Sequence, residues 1–360
     1  MRREGQSRVG GAVAALLLFF GLSGCKAKAD ASKPAAPFLS GVAMAPPAGS
    51  PLQSPEVPAA DQAPPTDKTS GFDGNRAYAH VAKQVSFGPR PAGSAALAKT
   101  QDYLLSELKG YGCSTDVDSF TSDTPAGRIS MKNILVKIPG QRAGIILLGT
   151  HYDTKQLPNF VGADDAGSST GVMLELARLL CREKGRYAVW IAFFDGEEAV
   201  REQWQDPDNC YGSREMAARL ALSGDLPRIK AFMLADIVGT RTPHFKRESY
   251  STKWLVDLVW DTAKQLGYGN IFIEDSGAME DDHQSFLKRK VPSMDVIDPE
   301  FGDGGDIFYW HTPEDTLDKI SPKTLAIVGH VFLESVKQLQ SRLHETVLPQ
   351  NVAPHLSHRI

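Results

Sequence analysis

The stretch Ala188-Val-Trp-Ile-Ala-Phe-Phe194, followed by Asp195-Gly-Glu-Glu-Ala199, decides how this chain folds. An unbroken apolar run of that length reads as a strand buried on both faces of an α/β sheet. Two adjacent carboxylates, Glu197 and Glu198, follow its end. In such a place they cost like-charge repulsion and desolvation unless something positive offsets them. A metal ion does so, with one carboxylate as ligand and the other left as a base. Alone, the pair would be an ordinary solvated loop. The rest of the chain argues against that.

Outward from this strand, apolar runs alternate with amphipathic stretches, the pattern of βαβ units. Asn133-Ile-Leu-Val-Lys-Ile-Pro139 and Gly144-Ile-Ile-Leu-Leu-Gly-Thr150 read as strands, the second running into His151. Ser168 to Leu180 reads as a helix with Val172, Leu176, Leu179 and Leu180 on one face and Ser168 or Ser169 as its cap. Helices are also expected over Tyr211 to Leu222 and Thr252 to Leu266, and strands over Ile229 to Ala235 and over Lys290 to Ile297, the latter interrupted by Pro292. The last helix carries Ser321 as N-cap and Pro322 at its first position, with Leu325, Val328, Phe332, Val336 and Leu339 at helical spacing. The expected fold is α/β and three-layered: a central mixed, mostly parallel sheet flanked by helices. No internal repeat is visible.

The ends read differently. Residues 1–25 carry Arg2, Arg3 and Arg8, then an apolar stretch from Ala12 to Leu22, and finish in Leu22-Ser-Gly-Cys25. That is a signal-peptide pattern, and its end resembles the lipobox of bacterial lipoproteins, with Cys25 as the lipidated residue. Export to a membrane-anchored, periplasmic or surface location follows, with Lys26 leaning toward an outer membrane where there is one. Residues 26–70, rich in Ala, Pro, Ser and Gly, read as a disordered tether. Residues 71–343 form the expected catalytic domain, and 344–360 a loose tail. The net charge of −4, with no basic stripe, excludes a nucleic-acid surface. Cys113, Cys181 and Cys210 allow at most one disulfide, and spacing selects no pair.

Polar residues gather where the strands end. His151, Asp153, Glu197, Glu198 and Asp236 all follow carboxyl ends of predicted strands, the edge at which open α/β sheets bind ligands. Asp153 stands at i+2 from His151, on the same side of an extended segment, where a carboxylate can orient the ring. Gly162-Ala-Asp-Asp-Ala-Gly-Ser-Ser169 places Asp164 and Asp165 before a helix, where Asp165 could serve as a cap or as a ligand. Trp310-His311-Thr312 completes the set.

With Gly88-Pro-Arg-Pro-Ala-Gly-Ser94, His151-Tyr-Asp-Thr-Lys155, Phe160-Val-Gly-Ala-Asp-Asp165, Tyr211-Gly-Ser-Arg214 and Asp281-Asp-His283, this set resembles the zinc-dependent exopeptidase family. That family includes bacterial aminopeptidases and animal-type glutaminyl-peptide cyclotransferases. The resemblance implies a zinc held by Asp165, Glu198 and His311, with Glu197 as general base and acid. It also implies peptide or protein N-termini as substrates. Two-metal aminopeptidases would add His151 and Asp236 around a second zinc, with Asp165 bridging. The cyclases resemble one-zinc enzymes in which Asp236 and Asp281 share hydrogen bonds with Glu197.

The cyclase version is the closer likeness. Phe160 follows soon after the His151 motif. Trp204 and Trp310 would wall a small apolar pocket, and His283 falls in the matching stretch beside it. Two departures stand against it: Thr150 and Thr170 replace the animal enzymes' disulfide pair, and Asp295 replaces a His.

Overall fold

The computed structural model describes residues 56–201, 203–302 and 308–343. The expected signal, Cys25, most of the expected tether and the tail after Leu343 lie outside the described residues. In chain order the body contains α1 (Gly74–Val85), α2 (Ala95–Gly110), β1 (Thr115–Thr124), β2 (Gly127–Ile138), β3 (Gly140–His151), α3 (Ser169–Leu180) and β4 (Gly185–Phe194). Then follow α4 (Tyr211–Ser223), β5 (Ile229–Asp236), β6 (Phe245–Glu248), α5 (Lys253–Gln265), β7 (Phe272–Gly277), α6 (His283–Leu287), β8 (Ser293–Ile297) and α7 (Pro322–Arg342).

One sheet carries the order β1-β2-β4-β3-β5-β8. β4, β3, β5 and β8 run parallel, and β1 and β2 join antiparallel at one edge. The expected mixed, mostly parallel sheet is what forms. Its strands are sealed on both faces because alternate residues feed two cores. Val189, Ile191 and Phe193 of β4 pack with α1, α2, α3, α5 and α7. Trp190, Ala192 and Phe194 pack on the opposite face with Met216 and Leu220 of α4 and Phe286 of α6. This explains the unbroken apolar run: neither face of β4 meets water.

Parallel strands put their carboxyl ends at one edge. His151 pairs in register with Phe194, and Asp236 with Ile297. The chemistry-bearing residues therefore leave the sheet side by side.

Several features differ from the sequence expectations. Residues 56–70 are part of the body rather than tether: Asp61 is buried with its carboxylate 2.7 Å from Arg241 Nε, and Val57 and Ala63 pack on the core. Ser168 does not cap α3 with its side chain. A kinked segment, Ala163–Ser168, precedes it, with non-helical backbone at Asp165 and Ala166, and the Ser168 hydroxyl donates back to Asp164 O (2.7 Å) and accepts from Val238 N–H (3.0 Å). Strand β8 starts at Ser293, after Pro292, whose carbonyl accepts from Phe232 N–H. Cys113 and Cys181 form the disulfide, and Cys210 is a buried free thiol.

Candidate metal and catalytic site

Asp165 comes from the loop between β3 and α3. Gly162 makes that loop possible: its φ is +52°, and a Cβ there would meet Asp165 O at 2.0 Å. Arg90, from the Gly-Pro-Arg-Pro stretch, is wholly buried and donates to the carbonyls of Tyr152 (3.1 Å), Val161 (2.6 Å) and Gly162 (2.9 Å). Burial lowers its guanidinium to about 10, opposed by Asp315, Asp165 and Asp153, so it stays cationic. Asp315 accepts the N–H of Asp164 (2.7 Å) and of Asp165 (3.1 Å). The side chain of Asp165 is thus aimed by backbone contacts on both sides of it, and it is a site group rather than a helix cap.

Glu197 and Glu198 leave β4 through Gly196, whose φ is +67°. Their N–H groups both donate to Asp153, at 3.1 and 3.3 Å, and Asp153 Oδ1 also lies 3.4 Å from His151 Nδ1. One carboxylate therefore sets the pitch of the Glu pair and the plane of the imidazole. Asp153 belongs to neither group of potential metal ligands.

Two such groups exist among the described residues, and both use Asp165. In the first, Asp165, Glu198 and His311 bring ligand atoms within 4.8 Å of one another. His311 Nε2 lies 3.3 Å from both Asp165 Oδ2 and Glu198 Oε1. The two Glu198 oxygens are buried and accept no well-formed hydrogen bond. Lys155 Nζ approaches only to 3.6 Å, while donating to Ala199 O. A single imidazole proton cannot satisfy two carboxylates, whereas a cation between the three side chains can. The donor set of two carboxylates and one imidazole suits zinc with a position left open. Phe160 edges the His311 ring at 5.8 Å and Trp310 lies against it at 4.5 Å, so the ligand is held by aromatic contact.

In the second group, His151 Nε2 lies 3.0 Å from Asp236 Oδ1 and 3.2 Å from Asp165 Oδ1. Thr150 and Thr170, which stand in place of a disulfide, both donate to the His151 carbonyl at 2.8 Å. Hydrogen bonds take over the staple's task of tying β3 to α3.

The electrostatics of the site follow from crowding of buried acids. Burial raises Asp165, but the imidazoles of His151 and His311 outweigh it and hold this carboxyl below the usual range. Burial also lowers His311, and Asp165 and Glu198 more than reverse that, to about 10. Glu197 is pushed well up by burial, with His151 opposing and Asp281 and Glu198 adding. Burial raises Asp236 to about 6, against His151. It raises Asp281 to about 7, helped by Asp236 and opposed by His283. Asp295 is fully buried, pushed well up by burial and then Asp281, and is not among the residues that line the pocket.

A pocket of about 340 Å³ joins these groups. Glu197, Glu198, Asp165, Asp236, Asp281 and His311 line it with Trp204 and Trp310. Met279, Ile297 and Lys155 also line it and were not singled out as pocket residues from the sequence. Ile297 was visible only as a strand end. His283 is a correction: it is buried at the start of α6, with Nε2 3.2 Å from Glu248 Oε2, and does not reach the pocket. The turn into α6 buries it behind Asp281.

Fold and site together define an α/β protein with a carboxylate-rich metal centre at the carboxyl edge of its parallel strands. The chain belongs to peptidase family M28, whose family profile matches residues 133–336. It is 32% identical over 278 residues to the glutaminyl-peptide cyclotransferase-like protein of Mus musculus, an alignment covering 68% of this chain and 70% of that protein. Among solved structures, a glutaminyl cyclase from an Acidobacteriales bacterium is 37% identical with a TM-score of 0.72, over 80% of this chain and 99% of that one. A Zn-dependent exopeptidase from Parabacteroides distasonis is 32% identical with a TM-score of 0.66, over 74% and 98%. The family read from the motifs is the family found.

Proposed function

We propose that this chain is a zinc-dependent glutaminyl-peptide cyclotransferase, converting an N-terminal Gln to pyroglutamate with release of ammonia. One observation carries the reading. The Asp165–Glu198–His311 triad, Glu197 and Asp281 face a single small pocket walled by Trp204 and Trp310, in a chain similar throughout its body to glutaminyl cyclases. We take one zinc per chain as sufficient, held by Asp165, Glu198 and His311. When bound it supplies Lewis-acid polarisation of the side-chain amide carbonyl.

The protein's own groups do the rest. Glu197, raised by burial, is a stronger base than an exposed carboxylate and stands in the wall beside the triad. It accepts a proton from the α-amine as that nitrogen bonds the amide carbon, and gives it to the departing ammonia as the carbon–nitrogen bond breaks. Asp236 and Asp281 line the same wall and share its charge. The tethered amine needs orientation more than activation, and the two Trp side chains supply it by excluding other poses.

Purified protein incubated with a Gln-initiated peptide is expected to release ammonia and lower the peptide mass by one ammonia, leaving a Leu-initiated peptide intact. Glu197→Gln is expected to reduce kcat about a hundredfold or more. Undiminished activity in that variant sinks the mechanism. A second reading, a two-metal aminopeptidase, is favoured by the His151–Asp165–Asp236 group; free Leu in the same assay would establish it.

From the signal-like pattern ending in Leu22-Ser-Gly-Cys25 we also propose that the chain is an exported lipoprotein anchored through Cys25. No helix among the described residues is long and apolar enough to cross a membrane. The Cys113–Cys181 disulfide supports an oxidising compartment. Labelling with a radioactive fatty acid, lost in Cys25→Ser, tests the anchor.

A further inference from the structure

A second cavity, of about 250 Å³, adjoins the substrate pocket, and Met279 and Ile297 line both. The cyclisation step has no use for it. Its remaining walls come from His244 and Lys246, the end of β7 at Ser276 and Gly277, and Asp298 and Glu300 after β8.

Part of the lining is spent internally. Glu248 accepts from Tyr250 N–H (2.9 Å), Met279 N–H (3.2 Å) and the Ser251 hydroxyl (2.7 Å), and lies 3.2 Å from His283 Nε2. It ties β6 to the segment that carries Met279. Asp298 is buried, and the backbone N–H groups of His244 and Glu300 reach its carboxylate. No Lys or Arg is paired with it among the described residues. At the rim, Lys246 Nζ lies 2.7 Å from both Glu300 oxygens in a half-exposed pair. Such pairs are weak and exchange partners readily. Among the described residues the lining brings three carboxyls, Glu248, Asp298 and Glu300, against Lys246 as its one lysine or arginine, and burial raises Asp298 to about 6, so the balance leans negative.

A peptide whose first residue fills the neighbouring pocket must lead its next residues away from it. Among the described residues a smaller cavity also shares walls with that pocket, at Trp204, Glu280 and Asp281, and it measures about 50 Å³, room for water rather than a side chain. We propose that the larger cavity is the subsite for the residues following the N-terminal Gln, and that it favours a basic side chain there. The proposal rests on the cyclase reading.

The test compares kcat/KM for Gln-Lys-Ala against Gln-Glu-Ala, and for Gln-Ala-Lys against Gln-Ala-Glu. Wild type is measured beside Lys246→Glu and Glu300→Lys, whose side chains reach solvent. Lysine is expected to be preferred about three- to fivefold at one of the two positions, the scale of one exposed ion pair, and less at high salt. Lys246→Glu is expected to widen that preference and Glu300→Lys to narrow or reverse it. Cyclisation of all four peptides with no preference at either position, or with a preference that neither variant moves, overturns the subsite alone. Absence of cyclisation with every peptide overturns the activity and the subsite together.

Discussion

Asp315 is the residue on which the metal loop turns. Its two oxygens accept the N–H groups of Asp164 and Asp165, while Arg90 holds the carbonyls of Tyr152, Val161 and Gly162. The loop is therefore fixed before any ion arrives, and a ligand held in place costs less to bind through. Asp315→Asn keeps the shape but exchanges one acceptor for a donor facing an N–H. It is expected to weaken zinc binding about ten- to a hundredfold, measured by competition with a chelator. The chelated variant is expected to lose only about 1–3 kcal/mol of stability, the cost of one unsatisfied buried N–H. Unchanged zinc affinity would remove the positioning role. Nothing in the sequence marks Asp315 for this role. Its partners are backbone groups some 150 residues earlier, and backbone N–H groups leave no mark in side-chain identity. The triad, by contrast, was legible because acids and imidazoles at strand ends are costly without a purpose.

At the level of elements, β3, β4 and β5 were readable because burial on both faces forces apolar runs. α7 was readable because Ser321 and Pro322 mark its start, with Ser321 Oγ accepting from Thr324 N–H. β1 was not. It is an edge strand, Thr-Asp-Val-Asp-Ser-Phe-Thr-Ser-Asp-Thr, half open to water and held by pairing with β2, so its order comes from a partner rather than from its own composition. α1 and α2 also escaped, since each buries a narrow stripe: Ala77 and Val81 on one, Leu97, Leu104 and Leu108 on the other. Between them lies a pH-sensitive contact. His80 of α1 is buried, with Nδ1 2.5 Å from Tyr103 Oη and Nε2 3.0 Å from Tyr111 Oη. Tyr111 donates to Glu107, so Nε2 is the donor and Nδ1 accepts from Tyr103. Burial lowers this imidazole to about 4, with Glu107 opposing and Arg76 and Arg178 assisting. A folded value below the unfolded 6.5 means stability that is complete above pH 6.5 and lost as pH falls toward 4. The loss is on the order of 3 kcal/mol. Urea unfolding at pH 7 and pH 4 should show it. His80→Leu, less stable at pH 7, should lose that much less on acidification, and equal losses would assign the acid sensitivity elsewhere.

For the whole molecule, composition placed the folded boundary too late. Residues 26–70 look uniformly unable to build a core, but residues 56–70 need not build one: they lie on a core made by others, through Val57, Ala63 and the Asp61–Arg241 pair. A chain beginning at Gly71 is expected to lose about 3 kcal/mol of stability relative to one beginning at Glu56, through lost burial. The same molecule-wide view applies to the metal centre. Asp165, Glu197, Glu198, Asp236 and Asp281 are all nearly buried around one pocket. Folding without a cation must bear their repulsion and desolvation, whereas the unfolded chain leaves each acid in water. An ion that binds the folded state alone stabilises it by mass action, about 2.7 kcal/mol at a hundredfold excess over its dissociation constant. In a body of this size that corresponds to a Tm change of about 4–5 °C. Chelation should therefore lower Tm by that amount, and zinc should restore it in wild type. Glu198→Ala should have little to restore, because it removes one of the three candidate ligands, whose two buried oxygens lack a hydrogen-bond partner. A Tm indifferent to chelation in wild type, with activity also unchanged, would mean that the acids are neutralised by protons rather than by a metal. The triad would then be a proton store, not a metal site.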